Sequence, residues 1–334
     1  MEKWDLEFRD IPVTEGVHMA KQNAITGYRP KGVTWKKDFQ KNGLVYLLYL
    51  PILVYFIIFN YIPMAGVMMA FEDYKVNKGL FASKWVGWAN FQKLFTGDMF
   101  LNAFRNTTCM AVLSLILGFL PPIILAILFS ECKPKRFKRV TQIMSYMPNF
   151  VSAVVVCALV TEFVGMNGAV TQLLCFFGAE KQNWLANSNI PVFWLIYVFM
   201  GIWVSFGYGS IIYTTAISNV SGEIKEAAAL DGANRFQRVW HIILPSIKNL
   251  CIIQLTMAVG TMFMVGFDRV LLLYMPKTYE TSDVLYTYTY RMAFGNKIDY
   301  GVSTASSLFQ SVLGTTLLLS SNALTRKFSE YSLF

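Results

Sequence analysis

Histidine is nearly absent from this chain. Only His18 and His241 occur in 334 residues. Five cysteines (Cys109, Cys132, Cys157, Cys175 and Cys251) show no C-x-x-C spacing. That pairing argues against both a metal site and a disulfide framework. There is no G-x-x-x-x-G-K-[ST] phosphate loop, so nothing in the sequence marks a site for ATP. There is no H-E-x-x-H pair, no nucleophile elbow and no His/Asp constellation, so an enzyme reading has no catalytic group to stand on. Charge is scarce as well, at 15% of residues against 55% hydrophobic. No internal repeat and no low-complexity segment divides the chain.

What the chain has instead is apolar length. Six runs, at about 44–62, 107–129, 140–164, 191–216, 250–275 and 303–324, are poor in charge. Each is close to the roughly 20 residues that cross a bilayer core of about 30 Å. The expected fold is therefore an all-α integral membrane protein with six transmembrane helices. Pro121 and Pro122 fall inside the second run and are expected to kink or break it, as a hinge or as a packing feature. Pro148, Asn149 and Glu162 interrupt the third, and Gly201, Gly207 and Gly209 in the fourth allow close helix approach. Residues 1–40 are polar and lack the apolar core and cleavage site of a signal peptide, so they are expected to form a cytoplasmic tail before a membrane domain over 41–334.

Basic residues orient the runs. With the N-terminus in the cytoplasm, roughly twice as many Lys and Arg lie inside as outside. The densest cluster is Lys133, Lys135, Arg136, Lys138 and Arg139, read as a short inside loop. Six crossings then put both termini and the segment 217–249 in the cytoplasm. The formal charge of +9 reflects flanks that face anionic lipid, and no nucleic-acid partner is expected.

One polar stretch between the fourth and fifth runs carries the most information: residues 221–245, SGEIKEAAALDGANRFQRVWHIILP. Ser221 is placed to cap a first short helix, with Glu223 and Glu226 toward its positive end. Ala227 and Ala228 are strong helix formers of little bulk. Gly232 follows where that helix must stop. Asn234 and Gln237 have the spacing of a capping box for a second helix. Phe236, Val239, Trp240 and Ile243 make an apolar stripe on it, and Pro245 is expected to end the local pattern.

The spacing Glu-Ala-Ala, three residues, Gly, nine residues, Ile-x-Leu-Pro resembles the EAA loop of binding-protein-dependent ABC importer permeases. It is filled here by Glu226, Ala227, Ala228, Gly232, Ile242, Leu244 and Pro245, with Asp231 also as that family usually has it. The segment YIPMAGVMMAFEDY followed by WVGWANFQKLF is similar to the opening region of LplB-type permeases within the maltose-type oligosaccharide class. The resemblance implies the type I permease fold and a translocating subunit without its own cofactor. It implies that ATP and Mg are bound by a partner ATPase, present in two copies and engaged through Glu223, Glu226, Ala227, Ala228, Asp231, Gly232, Ile242, Leu244 and Pro245. It further implies a second, related permease, an extracellular or lipid-anchored solute-binding protein, and a place in the bacterial cytoplasmic membrane. The cargo it implies is a carbohydrate, an oligosaccharide or polysaccharide fragment.

Sugars are held by hydrogen-bonding side chains and aromatic faces. The runs offer Asn149, Trp203, Tyr208, Gln254, Phe263 and Phe267, with Asp268 and Arg269 as charges inside the fifth run that line a path or pair with neighbouring helices. Trp85, Trp88, Phe91 and Phe95, in the outside segment, read as an interfacial belt or as a docking surface for the binding protein. Two other readings stay open: a permease for another polar solute, and a membrane scaffold or sensor without transport.

Overall fold

The computed structural model describes residues 35–189 and 192–328, so most of the expected tail lies outside the described residues. The chain divides into two compact units, Met1–Ala65 and Gly66–Phe334. The described part of the first is helical: α1 (Trp35–Phe56) is kinked at Asn42, which leaves the helical conformation, and is continued by a π-turn at Ile57–Tyr61 and a last turn at Ile62–Met64.

The second unit is built almost wholly of helix. A two-stranded antiparallel hairpin, β1 (Glu72–Asp73) and β2 (Lys84–Trp85), precedes the short α2 (Ala89–Thr96). Then come α3 (Asp98–Glu131), α4 (Lys135–Tyr146), α5 (Ala153–Val164), α6 (Ala169–Phe176) and α7 (Val192–Ser218). Two short helices follow, α8 (Gly222–Leu230) and α9 (Arg235–Arg238), and then α10 (Leu244–Thr261). The chain closes with α11 (Phe267–Leu273), α12 (Tyr279–Ser282), α13 (Leu285–Phe294) and α14 (Tyr300–Phe328). Six helical stretches among the described residues are long and apolar enough to cross a membrane.

The pair α3 and α7 forms the centre, with the most extensive packing in the unit. Three clusters surround it. Met110, Phe193, Val198, Val204, Val265 and Leu273 fill one. Phe100, Phe263, Leu285 and Tyr288 fill a second. Ile123, Ala126, Tyr213, Ile217, Ile243 and Ile247 fill the third, at the end nearest α8.

Several helix limits differ from those read in the sequence. Pro121 and Pro122 do not break α3, which runs through them unbroken. Pro122 packs beside Gly209 of α7, where a β-carbon would stand 3.4 Å from its Cγ, at ordinary contact. The run 140–164 is not one helix. Pro148 lies in a 3-10 turn, Met147–Phe150, and Ser152 starts α5 afresh by accepting from the Val155 amide. The third spanning stretch is instead Ala153–Phe176. The basic cluster is not simply a loop, since Lys135 to Arg139 open α4.

The fifth stretch is shifted furthest, to Arg235–Thr261. Pro245 does not stop it, because a π-turn at Val239–Ile243 precedes the proline. The Leu244 amide reaches back to the Val239 carbonyl, and the wider turn absorbs the donor that proline lacks and the ring it carries. The same device precedes Pro63, where the Ile62 amide bonds the Ile57 carbonyl. Past Thr261 the chain leaves the helix until Phe267, so Asp268 and Arg269 start a separate short helix rather than sit inside a span.

Candidate functional site

Two features of the second unit have the geometry of a working site. The first is the helix-turn-helix of α8 and α9. The Ser221 hydroxyl accepts from the Glu223 amide at 3.2 Å and opens α8. At the other end Gly232 has φ +81°, the left-handed conformation that a side chain disfavours. The Gly232 amide bonds the Ala229 carbonyl and the Ala233 amide bonds the Ala228 carbonyl, at 3.2 and 2.9 Å. Those two bonds make a Schellman closure. Asn234 and Gln237 then exchange hydrogen bonds of 2.8 Å in a capping box that starts α9.

The turn is thus closed by its own backbone and caps, while most of the side chains expected to meet a partner are exposed. Glu223, Glu226, Ala227, Asp231 and Gly232 are exposed and Ala228 is half-buried. Ile224, Leu230, Phe236 and Trp240 are large apolar side chains left exposed on the same element, with Phe236 and Trp240 stacked at 6.3 Å. The expected apolar stripe is therefore split. Ile243 is buried in the third cluster with Val239 packed against it, whereas Phe236 and Trp240 point away. The π-turn changes the angular step between these residues, which a fixed helical period does not anticipate. Ile242 and Leu244 are half-buried and Pro245 is exposed.

Sequence reasoning missed the ties that hold this element to the bundle. Lys225 Nζ donates to the Ile217 carbonyl in the last turn of α7, at 3.1 Å. Arg238 Nη2 pairs with Glu131 Oε2, at the end of α3, at 3.7 Å. Both partners of that pair are about three-quarters covered. The signal was the position of Glu131 at the end of the second run, which has no meaning until the helices are placed.

The second feature is a cavity of about 400 Å³ beside the middle of α3. Ser114 and Gly118 of α3, Gly201 and Ser205 of α7 and Gln254 of α10 line it, together with Arg269. It lies where the fifth stretch unwinds after Thr261. Backbone away from helix or sheet is tolerated at membrane depth where it lines a cavity or is held by other groups. Here the Gly266 amide donates to the Tyr197 hydroxyl at 2.8 Å.

Of the eight path candidates, the cavity brings together two, Gln254 and Arg269. Phe263 is buried in the second cluster and stacks on Phe104 at 6.1 Å. Phe267 packs on Tyr290 at 5.2 Å. Tyr208 meets Phe150 edge-on at 6.0 Å, and Asn149 is half-buried in the turn after α4. Trp203 and Asp268 are exposed and do not line the cavity. Trp85 and Trp88 stand around Phe71, with Trp85 stacked on it at 5.6 Å.

A profile of the family described as "Binding-protein-dependent transport system inner membrane component" matches residues 133–330. The chain belongs to that family. It is 35% identical to the protein LplB of Bacillus subtilis (strain 168), over 91% of this chain and 95% of that protein. It is also 35% identical to the polygalacturonan/rhamnogalacturonan transport system permease YteP of the same organism, over 90% of this chain and 96% of that one. Among solved structures it matches a chain of a bacterial alginate ABC transporter in complex with an alginate pentasaccharide-bound periplasmic protein. That match has a TM-score of 0.81 and 34% identity, covering 90% of this chain and 99% of the other. The six spanning stretches and the family together make this permease a membrane protein of the type I fold.

Proposed function

We propose that this permease is a translocating subunit of an ATP-driven importer that carries a carbohydrate, an oligosaccharide or polysaccharide fragment, across the bacterial cytoplasmic membrane. The observation that carries the proposal is the exposed helix-turn-helix tied to the ends of α3 and α7, the two helices whose middles line the cavity. A rigid amphipathic element with bare Ile224, Leu230, Phe236 and Trp240 fits a groove on another protein. In this reading the groove belongs to an ATPase, and both chain termini lie on its side of the membrane. The names of YteP and of the alginate transporter support a glycan as cargo. A second related permease and a solute-binding protein complete the assembly, with ATP and Mg held by two ATPase copies.

The test is gentle-detergent purification of the tagged chain from its own host, with mass spectrometry of the co-purifying chains. Recovery of a second permease, an ATPase with a phosphate loop and a solute-binding protein is the expected result. Recovery of the chain alone, under conditions that keep other importers whole, would overturn it.

The ties to the bundle give a finer expectation. Glu131→Gln removes the charge that pairs with Arg238 while keeping the shape. At 3.7 Å, with no hydrogen bond between its partners, the pair is loose, and its loss should cost on the order of 1 kcal/mol. Assembly should therefore survive, while uptake per ATP hydrolysed should fall several-fold. Reconstituted vesicles that report both rates check this, and an unchanged ratio would remove the pair from coupling.

A further inference from the structure

The cavity is uncharged except at one place. Among the described residues that line it, Arg269 is the one ionic side chain. The others that carry polar groups are Ser114, Tyr197, Ser205, Tyr213, Gln254 and Thr261. Three of these are already engaged with backbone. Ser205 donates to the Gly201 carbonyl and Thr261 to the Met257 carbonyl, and the Tyr197 hydroxyl accepts from the Gly266 amide. Arg269 lies along the α7 wall: a β-carbon at Gly201 would stand 3.8 Å from its Nη1.

No carboxylate pairs with Arg269 among the described residues. Asp268 is next to it in sequence, but it is exposed and lines no part of the cavity. The contrast with Arg291 is direct, since that guanidinium pairs with Asp283 and lies over the Tyr279 ring. A cation inside a membrane protein is costly and is usually matched by protein or by what passes beside it. A guanidinium presents a planar fork of donors that fits a carboxylate with two parallel bonds.

We propose that Arg269 reads a carboxylate on the cargo, so that the solute carried is an anionic, uronate-type glycan and not a neutral one. This inference rests on the importer reading above. The free amide of Gln254, on another wall of the same cavity, is placed to bond hydroxyls on the sugar while Arg269 holds the acid. A neutral sugar of the same size leaves the guanidinium desolvated and unpaired when the cavity closes. An unmet polar group of that kind discriminates far more strongly than a missing apolar contact.

The experiment uses the whole purified importer in proteoliposomes. The probes are trigalacturonate, trimannuronate, the methyl esters of both, and maltotriose. ATP-dependent uptake is compared for the native chain, Arg269→Gln and Arg269→Lys, with assembly checked by co-purification. The native importer should take up a carboxylated trimer at least tenfold faster than its methyl ester. Arg269→Gln should level the two rates, and Arg269→Lys should keep most of the preference. A preference retained in full by Arg269→Gln would mean that the binding protein alone selects the charge, and would overturn the role given to Arg269. Uptake of neutral probes only would overturn the anionic cargo while leaving the importer standing. No ATP-dependent uptake of any probe by an assembled complex would overturn the carbohydrate-importer reading, and this inference with it.

Discussion

Replacing Gly207 with alanine should empty the membrane of folded protein. Gly207 is buried in α7 against the last turn of α4, and a β-carbon there would lie 1.8 Å from the Ser145 carbonyl oxygen and 2.4 Å from its carbonyl carbon. The obstacle is backbone, so no rotamer change relieves it. Either α7 or α4 must shift by more than an ångström, and α7 is packed along α3 through Tyr197, Val198 and Val204. Overpacking in a well-filled core costs about 1–3 kcal/mol and more where nothing can yield. A loss at the top of that range or beyond is expected for a single methyl group. Fluorescence-detected gel filtration of membrane extracts should show at least a tenfold fall in the monodisperse peak. Gly118→Ala is the control, because its β-carbon would meet only Ile202 Cγ1, at an ordinary 3.8 Å. Equal yields from the two variants would show that α4 and α7 are not in contact at this point.

The second large effect is expected from Arg291→Leu. Asp283 is 3% exposed at its side chain and is held by the Arg291 guanidinium and by the Thr287 hydroxyl at 2.7 Å. Its backbone carbonyl accepts from Asn106 Nδ2 at 2.9 Å, which fastens the segment after α12 to α3. Removing the cation leaves a buried carboxylate without its partner, a change that costs about 3–5 kcal/mol. Burial pushes the Asp283 carboxyl up, against the opposing pull of Arg291 and Thr287. Without Arg291 it should rise further. A value raised in the folded state means that the folded chain holds the proton more tightly, so stability is greatest in acid and falls as pH rises through the raised value. The deficit of Arg291→Leu against the native chain should therefore be largest near pH 8 and shrink toward about pH 5. Thermal inactivation in detergent across that range checks the sign. Asp283→Leu combined with Arg291→Leu should recover much of the loss, since two well-packed apolar residues replace a buried pair at little cost. A deficit that grows toward acid would contradict the account.

The six spanning stretches and the helix-turn-helix were legible because each has a local cause. Apolar length marks a span, and Ser221, Gly232, Asn234 and Gln237 are caps that act within a few residues. The limits of the third and fifth spans were not legible, because proline has no single outcome. Pro148 ends a helix, Pro122 is carried inside one next to Gly209, and Pro63 and Pro245 are absorbed by π-turns. Which outcome holds depends on what the neighbouring helix offers, and that is set by packing. The cavity was only partly legible for a related reason. Gln254 and Arg269 line it, whereas Phe263 and Phe267, chosen on the same grounds of residue type, stack on Phe104 and pack on Tyr290 and do not line it. Residue type alone does not separate a wall of a cavity from a wall of a core. Glu131 and Lys225 escaped notice because their partners, Arg238 and the Ile217 carbonyl, lie on different elements.

The doubly closed turn at Gly232 has a mechanical consequence. With a Schellman closure on one side and a capping box on the other, α8 and α9 have few free backbone groups through which to yield separately. The pair behaves as a crank and not as a spring. A helix of nine residues is about 13 Å long. A sideways displacement of 1–2 Å at its tip, the size common at shifting interfaces, is then a rotation of roughly 4–9° about the turn. On the coupling proposed above, Lys225 and Arg238 are the pins through which that rotation would reach α7 and α3. A small linear stroke on α8 would then become torque on two long shafts, with the gearing fixed by the length of α8.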